Sequence, residues 1–63
     1  MPFIQVNIIS GRSEEQKSAM IRGIAEVIST TLDAPIEAIR VIINEVPSSN
    51  WGIGPVTAKS KGR

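Results

Sequence analysis

The chain predicts an α/β (α+β) fold: a single β-α-β unit with parallel strands plus a C-terminal short hairpin or loop, completed by oligomerisation. Three observations predict it. Two strand-like runs flank one long stretch whose apolar residues recur at helical spacing. A helical connection of that length suits parallel strands. The 63 residues make one domain, spanning 1–63, and a chain this short buries only about 60% of the surface its unfolded form exposes.

The first element is a strand over Phe3–Ile9. Ile4, Val6 and Ile8 alternate with Phe3, Gln5 and Asn7, the two-residue period of a half-buried strand. Ser10-Gly11-Arg12 interrupts it as a turn. Ser13-Glu14-Glu15-Gln16 then forms a capping box, in which the Ser13 hydroxyl accepts from the Gln16 amide and the Gln16 side chain reaches back. Glu14 and Glu15 suit the positive end of the helix dipole. Met20, Ile21, Ile24, Ala25, Val27, Ile28 and Leu32 carry the helix to about Leu32.

Asp33-Ala34-Pro35 ends the helix, because Pro35 cannot continue it and turns Ala34 away from helical angles. Pro35 also suits the opening of one short turn through Ala38. The second strand spans Ile39–Val46, and its density of β-branched residues predicts burial on most of both faces. The crossover is expected to be right-handed. Past Pro47-Ser48-Ser49, the segment Asn50–Val56 reads as a tight loop or short hairpin.

A two-stranded sheet does not stand alone in water. Small folds compensate with disulfides, metals or association. There is no Cys and no His, which removes disulfides and the usual zinc ligands, so no metal site is expected and association remains. The 41% hydrophobic content agrees, and an obligate oligomer is predicted. A net charge of +1, from seven basic and six acidic residues, argues against nucleic acid as a partner. Lys59, Lys61 and Arg63 cluster at the end, where they read as a solvated tail. No apolar run approaches the ~20 residues of a membrane helix, and no signal peptide is visible. A cytoplasmic protein with no membrane partner is the expectation.

Chemistry at neutral pH has few candidates, since His, Cys and Tyr are all missing. Pro2 is one. An initiator Met is removed when the next residue is as small as Pro, and the chain then begins with a secondary amine on a rigid ring. With Met1 retained, the same nitrogen is an amide and no base. Taken alone, Pro2 is an ordinary strand-start residue. Arg12 taken alone is a solvated turn residue, whereas Arg40 lies in an otherwise apolar strand. An Arg fork matches a carboxylate with two parallel hydrogen bonds, and two such residues apart suit an acyclic diacid. Trp51, the sole Trp, fits a packing anchor or an apolar wall. Glu45 is the one acid placed to matter, the others reading as helix-surface or helix-end charges.

Pro2, Ser10-Gly11-Arg12-Ser13 with Glu15-Gln16-Lys17, Leu32-Asp33-Ala34-Pro35, Arg40-Val41-Ile42-Ile43 and Gly52-Ile53-Gly54 follow one another in an order and spacing that resembles the 4-oxalocrotonate (2-hydroxymuconate) tautomerase family. The resemblance covers essentially the whole chain. It implies a tautomerase-like fold in which protomers pair into four-stranded dimers and three dimers form a homohexamer.

It further implies a cofactor-independent isomerase that converts 2-hydroxy-dienoates to 2-oxo-enoates, with a small dicarboxylate or 2-oxo acid as substrate. In that scheme the Pro2 amine is the catalytic base and Arg40 holds the 2-oxo acid end and stabilises oxygen charge. Arg12 grips the distal carboxylate, and Trp51 forms an apolar wall. An α-amino group ordinarily titrates near pH 8, and nearby cations and an apolar wall both disfavour its protonated form. Two departures bear on substrate: Trp51 stands where Phe is common, and Pro55 where a further Gly is. A hydratase or dehalogenase of unsaturated or halogenated acids, using a carboxylate to activate water, stays open beside this reading. So does a non-catalytic oligomeric binding module.

Overall fold

Strand β1 (Phe3–Ile9), helix α1 (Glu14–Leu32) and strand β2 (Arg40–Val46) form the β-α-β unit in the computed structural model, which describes residues 2–63. Met1, whose removal the Pro2 chemistry requires, lies outside the described residues. The strands are parallel, in register from Phe3 opposite Arg40 to Ile9 opposite Val46. Ser10 extends the ladder by donating its amide to the Val46 carbonyl at 2.9 Å.

The capping box is present in both directions. Gln16 N–H donates to Ser13 Oγ at 3.1 Å, and Ser13 N–H donates to Gln16 Oε1 at 3.0 Å. The helix ends earlier than Pro35 alone requires, because Asp33 takes a left-handed conformation at φ 53°. Asp is among the few residues other than Gly that tolerate that region. Ser29 then closes the end twice: its carbonyl accepts from Ala34 N–H at 3.1 Å, and its hydroxyl donates to the Ala34 carbonyl at 2.6 Å. Pro35 opens a single 3₁₀ turn, Ile36–Ala38.

One face of the sheet carries Ile4, Val6, Ile8, Val41 and Ile43, all half-buried. Glu45, in line with them, reaches Lys17 of α1, so this is the helix side. The opposite face carries Phe3 and Ile42, 60% and 45% exposed. Burial of β2 on both faces is therefore not achieved within one chain. A single helix covers one side of a two-stranded sheet, and among the described residues Phe3 and Ile42 stay exposed on the other.

The C-terminal arm is a two-residue hairpin. Strands β3 (Gly52–Ile53) and β4 (Val56–Thr57) pair antiparallel across Gly54-Pro55. Gly54 has φ 61°, and Pro55 excludes a second positive φ. The turn therefore matches the geometry with glycine at its first central position.

Among the described residues only Ile39 and Ala58 are buried. The Cα radius of gyration is 14.6 Å, whereas a compact domain of this length has about 10.6 Å. The accessible surface is 4667 Å², against about 3,950 Å² for a compact monomer of the same mass. Both measures describe a flat unit, 42 × 24 × 13 Å, shaped to be covered.

Candidate active site

Pro2 stands half-buried at the entrance to β1. Its carbonyl accepts the Arg40 amide at 3.1 Å, which ties the first described residue to the start of β2. Arg40 follows directly on the 3₁₀ turn that Pro35 opens. Its Nη1 donates to the Glu37 carbonyl at 2.7 Å and to the Ile39 carbonyl at 3.4 Å. Both bonds use one nitrogen, which leaves the rest of an exposed fork for a ligand. Among the described residues Arg40 has no carboxylate partner. The structure thus brings Pro2 and Arg40 to one end of the sheet.

Arg12 and Trp51 are at the other end. Arg12 follows the last residue of β1 by a short turn that includes Gly11 at φ 128°, a region that favours glycine. Trp51 follows β2 by Pro47 and a 3₁₀ turn, Ser48–Asn50. The strands are parallel, so both connections leave from the same end. The seven residues of β1 span about 20 Å, far more than an extended dicarboxylate. No single chain gathers the four residues singled out in the sequence.

Trp51 is half-buried, and its carbonyl accepts the Ala58 amide at 2.7 Å. Ala58 is fully buried, and its own carbonyl accepts from Lys61 and Arg63, both at 3.0 Å. Gly62 supports this closure at φ 81°. The basic end is solvated, as expected, but it is not a loose tail: Lys59–Lys61 form a 3₁₀ turn. Arg63, which the sequence places in a solvated tail, lines a cleft together with Arg12. A glycine directly after Lys61 is a stop signal for a helical turn, and it marked the segment as ordered.

Clefts open on both sides of Arg12. One, of about 210 Å³, is lined by Ile8, Gln16, Lys17 and Met20 with Arg12. There Lys17 is already paired with Glu45 at 2.8 Å. The other, of about 400 Å³, is lined by Ile9, Ser10, Gly11, Arg12 and Arg63. It is lined by two arginines and by no acidic residue. Glu45 lies on the helix side of the sheet and serves the ion pair.

Comparison with known proteins adds the family context. The family model described as tautomerase enzyme matches residues 2–61. A 2-hydroxymuconate tautomerase of Stutzerimonas stutzeri is 51% identical over 63 residues, covering all of both chains. A solved 4-oxalocrotonate tautomerase isozyme from Methylibium petroleiphilum is 48% identical, with a TM-score of 0.93 over 98% of this chain and 100% of that one. A heterohexamer 4-oxalocrotonate tautomerase from Chloroflexus aurantiacus is 30% identical, with a TM-score of 0.89 over 94% and 95%.

Proposed function

The chain belongs to the tautomerase family and is an isomerase of that kind, and from that premise we propose that it ketonises 2-hydroxy-dienoates such as 2-hydroxymuconate, with Pro2 as the base. The observation that carries the proposal is the position of Pro2, at the open start of β1 with its carbonyl held by the Arg40 amide at 3.1 Å. That anchor fixes the ring while leaving its nitrogen free for chemistry once Met1 is removed.

The proton transfer balances without a redox step. The Pro2 nitrogen takes the proton from the 2-hydroxyl of the dienol, and the oxygen's electrons form the carbonyl. The displaced π electrons move to C3, or through the diene to C5, and that carbon takes the proton back from the Pro2 ammonium. Arg40 holds the 2-oxo acid end and stabilises negative charge on the oxygen, a role that preorganised donors perform well. Arg12 grips the distal carboxylate, and Trp51 shields the site from water.

Because Pro2 and Arg12 lie at opposite ends of β1, these roles require at least two copies of the chain at one site. The exposed sheet face and the radius of gyration support self-association, and a homohexamer built as a trimer of dimers is the proposed form. The cytoplasm is the proposed location, and the 63 residues act as one domain. No helix is long and apolar enough to cross a membrane among the described residues.

An intact mass of the purified protein, followed by 2-hydroxymuconate ketonisation with a Pro2→Ala control, tests the proposal. Loss of Met1 with activity that collapses in the control is the expected result. A protein lacking Met1 that leaves the dienol untouched would overturn it.

A further inference from the structure

The chemistry proposed above leaves the ordered basic end of the chain without a role, and one of its residues returns to the site. We infer that Arg63 is a second anion-binding residue beside Arg12, so that the distal end of the site is a two-guanidinium clamp that selects dicarboxylate over monocarboxylate substrates. The inference rests on the reading of Arg12 as the distal carboxylate grip.

The geometry has three parts. Arg12 and Arg63 line the same cleft of about 400 Å³, together with Ile9, Ser10 and Gly11. Two like charges around one open space repel weakly in water and gain most when an anion enters between them. Each Arg also offers a planar fork, and two forks can satisfy both oxygens of a carboxylate from different sides.

The second part is anchoring. Arg63 N–H donates to the carbonyl of fully buried Ala58 at 3.0 Å. Gly62, at φ 81°, takes the left-handed turn that brings Arg63 back. Ala58 N–H in turn donates to the Trp51 carbonyl at 2.7 Å. The backbones of the proposed apolar wall and of the second guanidinium are thus joined through one residue.

The third part is charge. The smaller cleft on the other side of Arg12 holds Lys17, which Glu45 neutralises at 2.8 Å. No side-chain carboxylate lines the larger cleft. Among the side chains lining the two clefts, the Arg63 side thus offers a dianionic ligand two arginines without an ion-pair partner, and the smaller cleft only Arg12.

The test compares kcat/KM for 2-hydroxymuconate with that for the same dienol lacking its distal carboxylate, 2-hydroxypenta-2,4-dienoate. In Arg63→Ala and Arg63→Gln the preference for the dicarboxylate is expected to fall roughly three- to tenfold, the size of one ordinary hydrogen bond lost at an exposed site. The loss should appear mainly in KM. Arg63→Lys should recover part of it. Lys61→Ala removes the same charge from the same turn without touching the cleft, and it should leave the preference in place.

Arg12→Ala separates the two levels of the argument. If it erodes the preference while both Arg63 variants keep the wild-type ratio, Arg63 is no part of the clamp and the reading of Arg12 stands. If Arg12→Ala itself leaves the ratio untouched, that reading fails and the clamp fails with it. An equal loss in Lys61→Ala would assign the effect to general charge and overturn the inference.

Discussion

The Arg40 amide donates to the Pro2 carbonyl at 3.1 Å, one residue before the paired register that begins with Phe3 opposite Arg40. Proline has no N–H to give, so at this position it enters the ladder through its carbonyl alone. Its ring nitrogen is left outside the hydrogen-bond pattern. The sheet positions the proposed base without consuming it.

Replacing Pro2 by Ala should therefore lower kcat by about 10²-fold, within the usual contribution of a positioned base, while the far-UV circular dichroism stays that of the wild type. Ala keeps the carbonyl that Arg40 needs and loses the rigid ring. Ketonisation kinetics on a sample of verified N-terminal mass check this. Wild-type turnover in the variant would remove Pro2 from the mechanism.

The separation of Pro2 from Arg12 along β1 predicts complementation. Pro2→Ala and Arg12→Ala, each weak alone, should regain activity when unfolded together and refolded as a mixture. Random assembly of a site from two copies leaves about a quarter of sites with both native residues. A site contained in one chain would recover nothing.

Glu45 separates the tautomerase reaction from water-adding chemistry. It pairs with Lys17 at 2.8 Å, with side chains 35% and 26% exposed, so Glu45→Gln should cost no more than about 1 kcal/mol of stability. Ketonisation should survive the change, because the carboxylate lies on the helix side of the sheet. Loss of most turnover with retained fold would bring the hydratase or dehalogenase reading forward.

Ile42 tests the assembly. It is 45% exposed on the sheet face opposite the helix, and Ile42→Asp would bring an unpaired charge into any interface formed there, at a cost of several kcal/mol. Sedimentation should show smaller species, with activity lost in parallel. An oligomer of wild-type size and stability would place the interface elsewhere.

The reciprocal cap at Ser13 and Gln16, with bonds of 3.1 and 3.0 Å, opens a helix of 19 residues. Ser13→Ala should lower unfolding free energy by about 1 kcal/mol per chain. Urea unfolding at fixed protein concentration measures it, since assembly makes apparent stability depend on concentration. An unchanged midpoint would mean that packing alone holds the helix start.

Local patterns carried much of this protein into view. The alternation of Phe3–Ile9, the capping box and the β-branched run before Val46 each express a preference settled among near neighbours in sequence. The short hairpin around Gly54-Pro55 does too, and so all of them were legible. The roles proposed for Pro2, Arg12, Arg40 and Trp51 have another source, the family resemblance carried by motifs spread over the whole chain. The helix end shows where near-neighbour rules blur: Pro35 announced a stop, but Asp33 at φ 53° makes it, secured by Ser29.

What the residues determined by themselves is the set of elements, because periodicity and caps act over a few positions, while the kind of reaction came with the family resemblance that the ordered motifs carry. The tertiary structure alone decided which of those residues share an end of the sheet. Parallel pairing places Pro2 with Arg40 and sends Arg12 and Trp51 about 20 Å away along β1, and the turn at Gly62 brings Arg63 to Arg12 from the far end of the chain. Distance in sequence carries no information about such meetings. They follow from strand direction and register, which exist only once the chain has closed on itself.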